Sequence, residues 1–274
     1  MKLVDPGRGK RTALKLTPKQ GDKQAVELAL DFTTKQSNPD GTPGPDQIAP
    51  TIVLAGDAEV QAAGTDDAAS VTWTVSSADA RDVTGELRKA DEVRPALQAF
   101  KGLRVITDVH SNGDSKAVIH LDNMDPALID VLKVLVLSYP SFPALPKEPI
   151  GVGAKWTATL DTMMMDALSL TETTTYEVLA HKGPAWTIKT TTKIAGKDQE
   201  IAQTKLQKIT GTGSGQITIT EGVLFPKASW KRARAFTAVT DKGKVDVALE
   251  STAVITPGEA TAAAPASPSP PATK

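Results

Sequence analysis

At 274 residues and 40% hydrophobic, the chain is long enough to bury a substantial core, as one large domain or two smaller ones. Its 31 basic and 32 acidic residues nearly cancel, which excludes the electrostatic footprint of a nucleic-acid binder. Cysteine is absent, ruling out disulfides, thiol catalysis and thiolate metal sites, while aromatics at 4% and abundant Thr indicate a β-rich globular chain.

In chain order, residues 1–10 are polar with Pro6, Gly7 and Gly9, and are expected to be a frayed N-terminus. No apolar signal segment is visible there, so the chain is either cytoplasmic or a mature form whose export signal was removed. A β-rich domain is expected over 11–256, with similar halves at 11–124 and 150–256 joined by a helix and a proline ladder over 125–149. Ala13 to Leu16 and Val26 to Phe32 alternate across Gly21 and predict a hairpin. Val71, Trp73 and Val75 line one face of a further strand.

Leu87, Ala90, Val93, Leu97 and Phe100 are spaced three or four apart and predict a helix over 84–100, kinked or divided at Pro95. Asn112 and Gly113 predict a tight hairpin between strands at 103–109 and 117–121. Residues 125–137, with only Asp130 and Lys133 polar in the run from Leu128, predict an apolar helix capped by Asp125, the object that the strands wrap. That run is too short to cross a bilayer. Pro140, Pro143, Pro146 and Pro149 forbid regular structure until Gly151 and Gly153 release a strand at Trp156. From there to Ile255 the pattern is almost wholly strand, and the Ala/Pro/Ser-rich stretch 257–274 reads as a disordered tail.

His110 and His120 flank the Asn112–Gly113 turn with Asp108, Asp114 and Asp122 nearby, the residue types of a metal site. Two polar side chains on the wet face of a hairpin explain them better, and no metal is expected. Gly211-x-Gly-x-Gly precedes a strand rather than a helix, so a bulge or strand bend is expected instead of a phosphate cradle. Met163, Met164 and Met165 suit a lipid or other apolar ligand, because thioethers adapt to varied surfaces, although a strand end under a loop fits them as well. Trp73, Trp156, Tyr176 and Trp186 lie on inward strand faces, as core or as cavity lining. With Leu132 these residues are the candidate ligand-binding set. No nucleophile, metal or cofactor motif is visible, so no cofactor and no enzyme activity are expected.

Three features occur together: a helix into Phe100-Lys101-Gly102 with the Asn112–Gly113 hairpin, the run from Leu145-Pro146 through Pro149 to Trp156, and Gly-x-Gly before Thr220-Glu221-Gly222-Val223-Leu224. In these, residues 12–255 resemble a family of bacterial secreted proteins and lipoproteins known as a domain of unknown function, with its Leu-Pro…Pro-Val-x-x-Gly-x-x-Trp pattern. The resemblance implies an exported envelope protein, periplasmic or at the cell surface, and carries no catalytic residue across. The missing signal and lipobox cysteine depart from the family's pattern. By architecture alone the chain also resembles periplasmic lipoprotein carriers, in which a curved sheet holds helices.

The expected fold is therefore β-dominated α+β, with long antiparallel strands curling around the buried helix. The expected function is non-enzymatic binding of a lipid or other hydrophobic ligand, or of a partner's apolar segment, in the concave sheet. The alternative is a structural or protein-interaction module of the envelope whose interior is filled by its own side chains.

Overall fold

Period-two alternation governs the chain, and the computed structural model turns it into one large antiparallel sheet. It describes all residues except 39, 64–67, 114, 121–141, 165–167, 202–203, 242 and 262–274, and only the backbone of 63, 116–120, 162–164 and 260–261. The first half supplies β1 (Lys2–Asp5), β2 (Arg8–Thr12), β3 (Lys23–Gln36), β4 (Gln47–Ile48), β5 (Thr51–Ala63) and β6 (Ala68–Arg81). A short helix α1 (Ala90–Leu97) and a 3₁₀ turn (Gln98–Phe100) lead into β7 (Arg104–His110) and β8 (Ser115–His120). The second half supplies β9 (Ile150–Val152), β10 (Lys155–Met164), β11 (Leu168–Lys182), β12 (Ala185–Ala195) and β13 (Gln199–Ile201). It ends with β14 (Thr204–Thr220), β15 (Lys227–Thr240) and β16 (Gly243–Thr261).

The strand order is β1-β10-β11-β12-β14-β15-β16-β3-β5-β6-β7-β8, with β13 and β4 as side pairs, so the sheet stays open between β1 and β8. β2 and β9 form a separate two-stranded ribbon. Both predicted halves thus belong to one sheet, joined where β16 pairs with β3 over Val247↔Gln36 to Thr261↔Lys23.

One face carries the core. Leu28, Leu30, Leu54, Val60, Val71, Trp73 and Val105 from one end are buried in the same cluster as Trp156, Val178, Trp186 and Ile188 from the other. The segment at 142–149 bridges the two ends: the Leu145 amide donates to Asn112 O (2.6 Å) in the β7–β8 turn, and Trp156 Nε1 donates to Ala144 O (2.7 Å). Gly113 (φ 77°) is needed here, since a Cβ would lie 1.8 Å from Pro143 O. Across the strands, Gln24 is buried and holds two sequence-distant backbone groups, donating to Gly258 O (3.0 Å) and accepting from the Phe225 amide (2.7 Å).

The β-dominated α+β architecture is as expected, but several details differ. Residues 1–10 are not frayed: β1 pairs with β10, and Asp5 Oδ1 accepts the Gly7 amide (2.8 Å), turning the chain into β2. Leu14 and Leu16 are buried, but outside any strand, and β3 takes β16 and β5 as partners instead of a local hairpin. The helix is confined to Ala90–Leu97 with Pro95 inside it, and Leu87 lies exposed before it. Residues 257–261 continue β16 rather than beginning a tail. The predicted apolar helix at 125–137 falls outside the described residues; the described segment within the concavity is the later part of the proline ladder.

Candidate functional site

From β10 to β15 the registers align the inward residues in three rows that run across the strands. The first is Trp156, Tyr176, Thr190, Gly215 and Trp230, the second Ala158, Thr174, Thr192, Gly213 and Arg232, and the third Leu160, Glu172, Ile194, Gly211 and Arg234. Each row places a glycine on β14 beside a large side chain on β15. A Cβ on Gly211 would lie 3.2 Å from Arg234 Cγ, one on Gly213 3.3 Å from Arg232 Cγ, and one on Gly215 2.7 Å from Trp230 Cβ. The glycines therefore lower the floor so that the β15 side chains lie flat across it. The strand pairs in unbroken register at these glycines, without the expected bulge; the register shift falls between Gln207 and Thr210, where Lys208 has φ 54°.

Arg234 Nη2 reaches Glu172 Oε1 at 3.2 Å, and Arg232 Nη2 lies 3.6 Å from Glu172 Oε2. β11 and β15 are separated by β12 and β14, a span of about 14 Å in a flat sheet, so these side chains meet across a concave face. All three are largely buried, with 12–20% of each side chain exposed. Burial pushes the Arg232 guanidinium below its ordinary value, and Glu172 pulls it back up. Arg234 Nε and Trp230 Nε1 are buried without a hydrogen-bond partner among the described residues. Thr174 and Thr192 join their hydroxyls at 2.9 Å beside this trio.

Above the rows lies a cavity of about 580 Å³, bounded by Leu160, Glu172, Tyr176, Trp230 and Arg232 and roofed by residues 142–144. Leu160, 58% exposed, stands at its edge on β10. The Tyr176 ring stacks on Trp156 (5.2 Å between centroids, 5° between planes), and burial pushes its phenol above the ordinary value. Phe142 packs on Phe225 at 5.1 Å, anchoring the roof to the β14–β15 turn.

Of the predicted ligand-binding residues, Tyr176 lines this cavity and Trp156 stands behind it, fully buried. Trp73 is buried on β6 at the other end of the sheet, and Trp186 is buried against His181 (3.7 Å between ring centroids), so neither lines the cavity. Met163 and Met164 lie on β10 opposite Ser169 and Leu168. Leu132 and Met165 fall outside the described residues. Sequence reasoning missed Glu172, Arg232 and Arg234. Their signal is Arg-x-Arg in phase with Trp230 and Phe236, opposite a period-two run of glycines. The register also separates the two histidines of the β7–β8 hairpin, placing His120 opposite Arg104 and His110 opposite Ala68. Among the described residues no three His, Asp or Glu side chains converge as a metal site would require.

No family model matches the chain, and no curated protein matches it. Among solved structures it is similar to one titled for lipid–protein interactions in lipovitellin, at 14% identity and a TM-score of 0.49. The match covers 91% of this chain but 26% of that one, so the chain spans about a quarter of the lipovitellin chain's length. OccAB2 of Acinetobacter baumannii is 7% identical over 86% of this chain and 98% of its own, with a TM-score of 0.24. A DUF3598-family protein of unknown function from Nostoc punctiforme is 14% identical over 83% of this chain and 95% of its own, with a TM-score of 0.13. Neither the fold nor the chemistry of the site is drawn from these similarities.

Proposed function

We propose that the protein is a non-enzymatic ligand-binding protein of the bacterial cell envelope that holds an amphipathic or apolar small molecule on the concave face between β10 and β15. The observation that carries the reading is the cavity of about 580 Å³, within the ~300–1,000 Å³ range of small-molecule sites. One wall is aromatic, with Tyr176 and Trp230, and apolar Leu160 is exposed at the edge where a ligand would enter. A cavity open at one edge, beside intact aromatic stacking and bounded by the described residues, is what distinguishes this end from the self-packed core at the other. Glu172 is held through both oxygens by two guanidiniums, an arrangement suited to a fixed counter-ion more than to a proton acceptor. The envelope location rests on the resemblance of residues 145–156 to exported proteins.

The test is native mass spectrometry of the full chain purified from a bacterial host, together with titration of the neutral fluorophore N-phenyl-1-naphthylamine. Co-purified mass released by organic solvent, and saturable fluorescence that the lipid extract competes away, are expected. Protein that is empty and leaves the fluorophore unchanged would end the reading in favour of a purely structural module.

A further inference from the structure

The outer face of the sheet, opposite the cavity, carries a charge pattern of its own. The chain as a whole has 32 acidic residues against 31 basic, yet the neighbouring strands β12, β14 and β15 contain no aspartate or glutamate. On β12 the exposed alternation includes Lys189, Thr191 and Lys193, and on β15 Lys227, Ser229 and Lys231. Between them β14 turns out Thr210, Thr212, Ser214 and Gln216. The strands on either side place one acid each in these rows, Glu177 opposite Lys189 and Glu250 opposite Ala233. Both are held from the far side, Glu177 by Lys155 at 3.3 Å and Glu250 by Lys35 at 3.0 Å. Among the described residues no ion pair engages Lys189, Lys193, Lys227 or Lys231.

Strand geometry fixes where these four charges stand. Lysines four residues apart on one strand are about 13 Å apart, and β12 and β15 are separated by about 10 Å. The register sets Lys231 between Lys189 and Lys193, so the four ammoniums mark the corners of a parallelogram. The hydroxyls inside it can donate to phosphate oxygens. A linear polyanion is matched by a stripe or groove, with arginines for its phosphates and aromatic rings for its bases, and none of these is exposed on the three strands. Charges spread in two dimensions instead match a plane of anionic head groups. The exposed apolar residues here are alanines, so the contact is electrostatic and inserts nothing.

We propose that the outer face of β12, β14 and β15 docks reversibly on a bilayer surface that bears anionic phospholipids, with the four ammoniums against their phosphates. The concave face stays free in this arrangement, so the inference stands apart from the ligand-binding reading.

Flotation of the full chain with vesicles tests it, using phosphatidylcholine alone or with about one-third phosphatidylglycerol. At low ionic strength the protein is expected to float with the anionic vesicles and not with the neutral ones. Salt at about 0.5 M, where the screening length is about 4 Å, should release it. Each lysine contributes about fivefold to such an affinity, so Lys231→Gln should weaken binding by about that factor. Lys189→Gln, Lys193→Gln, Lys227→Gln and Lys231→Gln combined should weaken it at least ~100-fold, with an unchanged denaturation midpoint because all four side chains are exposed. The same charge change at Lys10, Lys15, Lys19 and Lys101, exposed outside these strands, should weaken it no more than about twofold.

No binding to the anionic vesicles at low ionic strength would overturn the proposal. So would equal binding to both kinds of vesicle, or a fourfold variant that floats like the parent. An equal loss in the control variant would assign the effect to net charge and not to this face. A single-stranded oligonucleotide bound as tightly as the anionic vesicles would replace the bilayer with a linear polyanion. If the fourfold variant does not fold, Lys231→Gln and the salt and lipid dependence of the unaltered protein still decide the question. Fluorophore titration without vesicles reports on the concave site alone, so either reading can fail without the other.

Discussion

On β5 and β6 the inward positions are Leu54, Ala58, Val60, Val71, Trp73 and Val75, all buried, whereas on β11 and β15 the same alternation turns Glu172, Thr174, Arg232 and Arg234 inward. The aliphatic end is also covered: Leu97 and Phe100 are buried in its core, and Arg94 Nη2 and Gln98 Nε2 tie the helical segment to β6 through Ala80 O (2.9 Å) and Ala78 O (3.1 Å). At the polar end three glycines remove side chains from one strand, and the inward neighbours are long, charged or hydroxylated. The same antiparallel pairing therefore gives a self-filled core at one end and a cavity with a charged floor, bounded by the described residues, at the other. The difference lies in side-chain volume and solvation, which the sheet itself leaves free.

Trp156 stands where the two regions meet, so its removal should have the largest effect. Trp156→Ala deletes a fully buried ring, its stacking on Tyr176 and its bond to Ala144, and should cost about 3–5 kcal/mol. Chemical denaturation should show this as a lower midpoint or as insoluble protein, and a variant as stable as the parent would refute its role as clamp. Leu54→Ala, deep in the aliphatic end, should cost about 2–5 kcal/mol without altering ligand competition. If that substitution changed fluorophore binding as much as stability, the two regions would not be separable.

Glu172→Gln should cost about 1–3 kcal/mol, because it leaves two largely buried guanidiniums with a neutral acceptor. Replacing Glu172, Arg232 and Arg234 together by apolar residues should recover most of that loss. A triple variant less stable than Glu172→Gln would show that the charges support the fold and are not specific to binding.

The smallest effect is confined to alkaline pH. Burial raises the Tyr176 pKa, so the folded state holds the proton that the unfolded chain releases near the ordinary tyrosine value. The associated stability is complete below about pH 10 and is lost as pH climbs through the folded value. In a Tyr139→Phe background, which leaves Tyr176 as the sole tyrosine, the phenolate absorbance should rise together with alkaline unfolding. Ionisation at an ordinary value in protein that stays folded would place Tyr176 in contact with water.

Much of this division was present in the sequence in unequal measure. Val71, Trp73 and Val75 announce their strand and its buried face, Asn112–Gly113 announces its turn, and the proline–glycine run into Trp156 announces a fixed, buried anchor. These are local signals, because period and turn chemistry are properties of neighbouring residues. The site is different in kind. Glu172 and Arg234 are 62 positions apart and meet only through the registers of four strands. Charged residues alternating in a strand ordinarily read as a solvated face, so the Arg-x-Arg pair carried no warning on its own. β1 was missed because its partner β10 lies about 150 residues away, and no nearby residue specifies that pairing.

The position of β16 has a consequence for how the molecule is made. It is inserted between β15 and β3, and its partners on β3 lie more than two hundred residues earlier in the chain. During synthesis from the N-terminus, β3 can pair with β5 on one side, but its other edge must wait for the last described strand. Until then the nascent chain presents two open sheet edges, on β3 and on β15, which are surfaces prone to pairing with other chains. Loops of this length close slowly compared with hairpins. β16 is thus the keystone of the sheet, and a ribosome-bound chain stopped before Gly243 would lack the strand that joins β15 to β3.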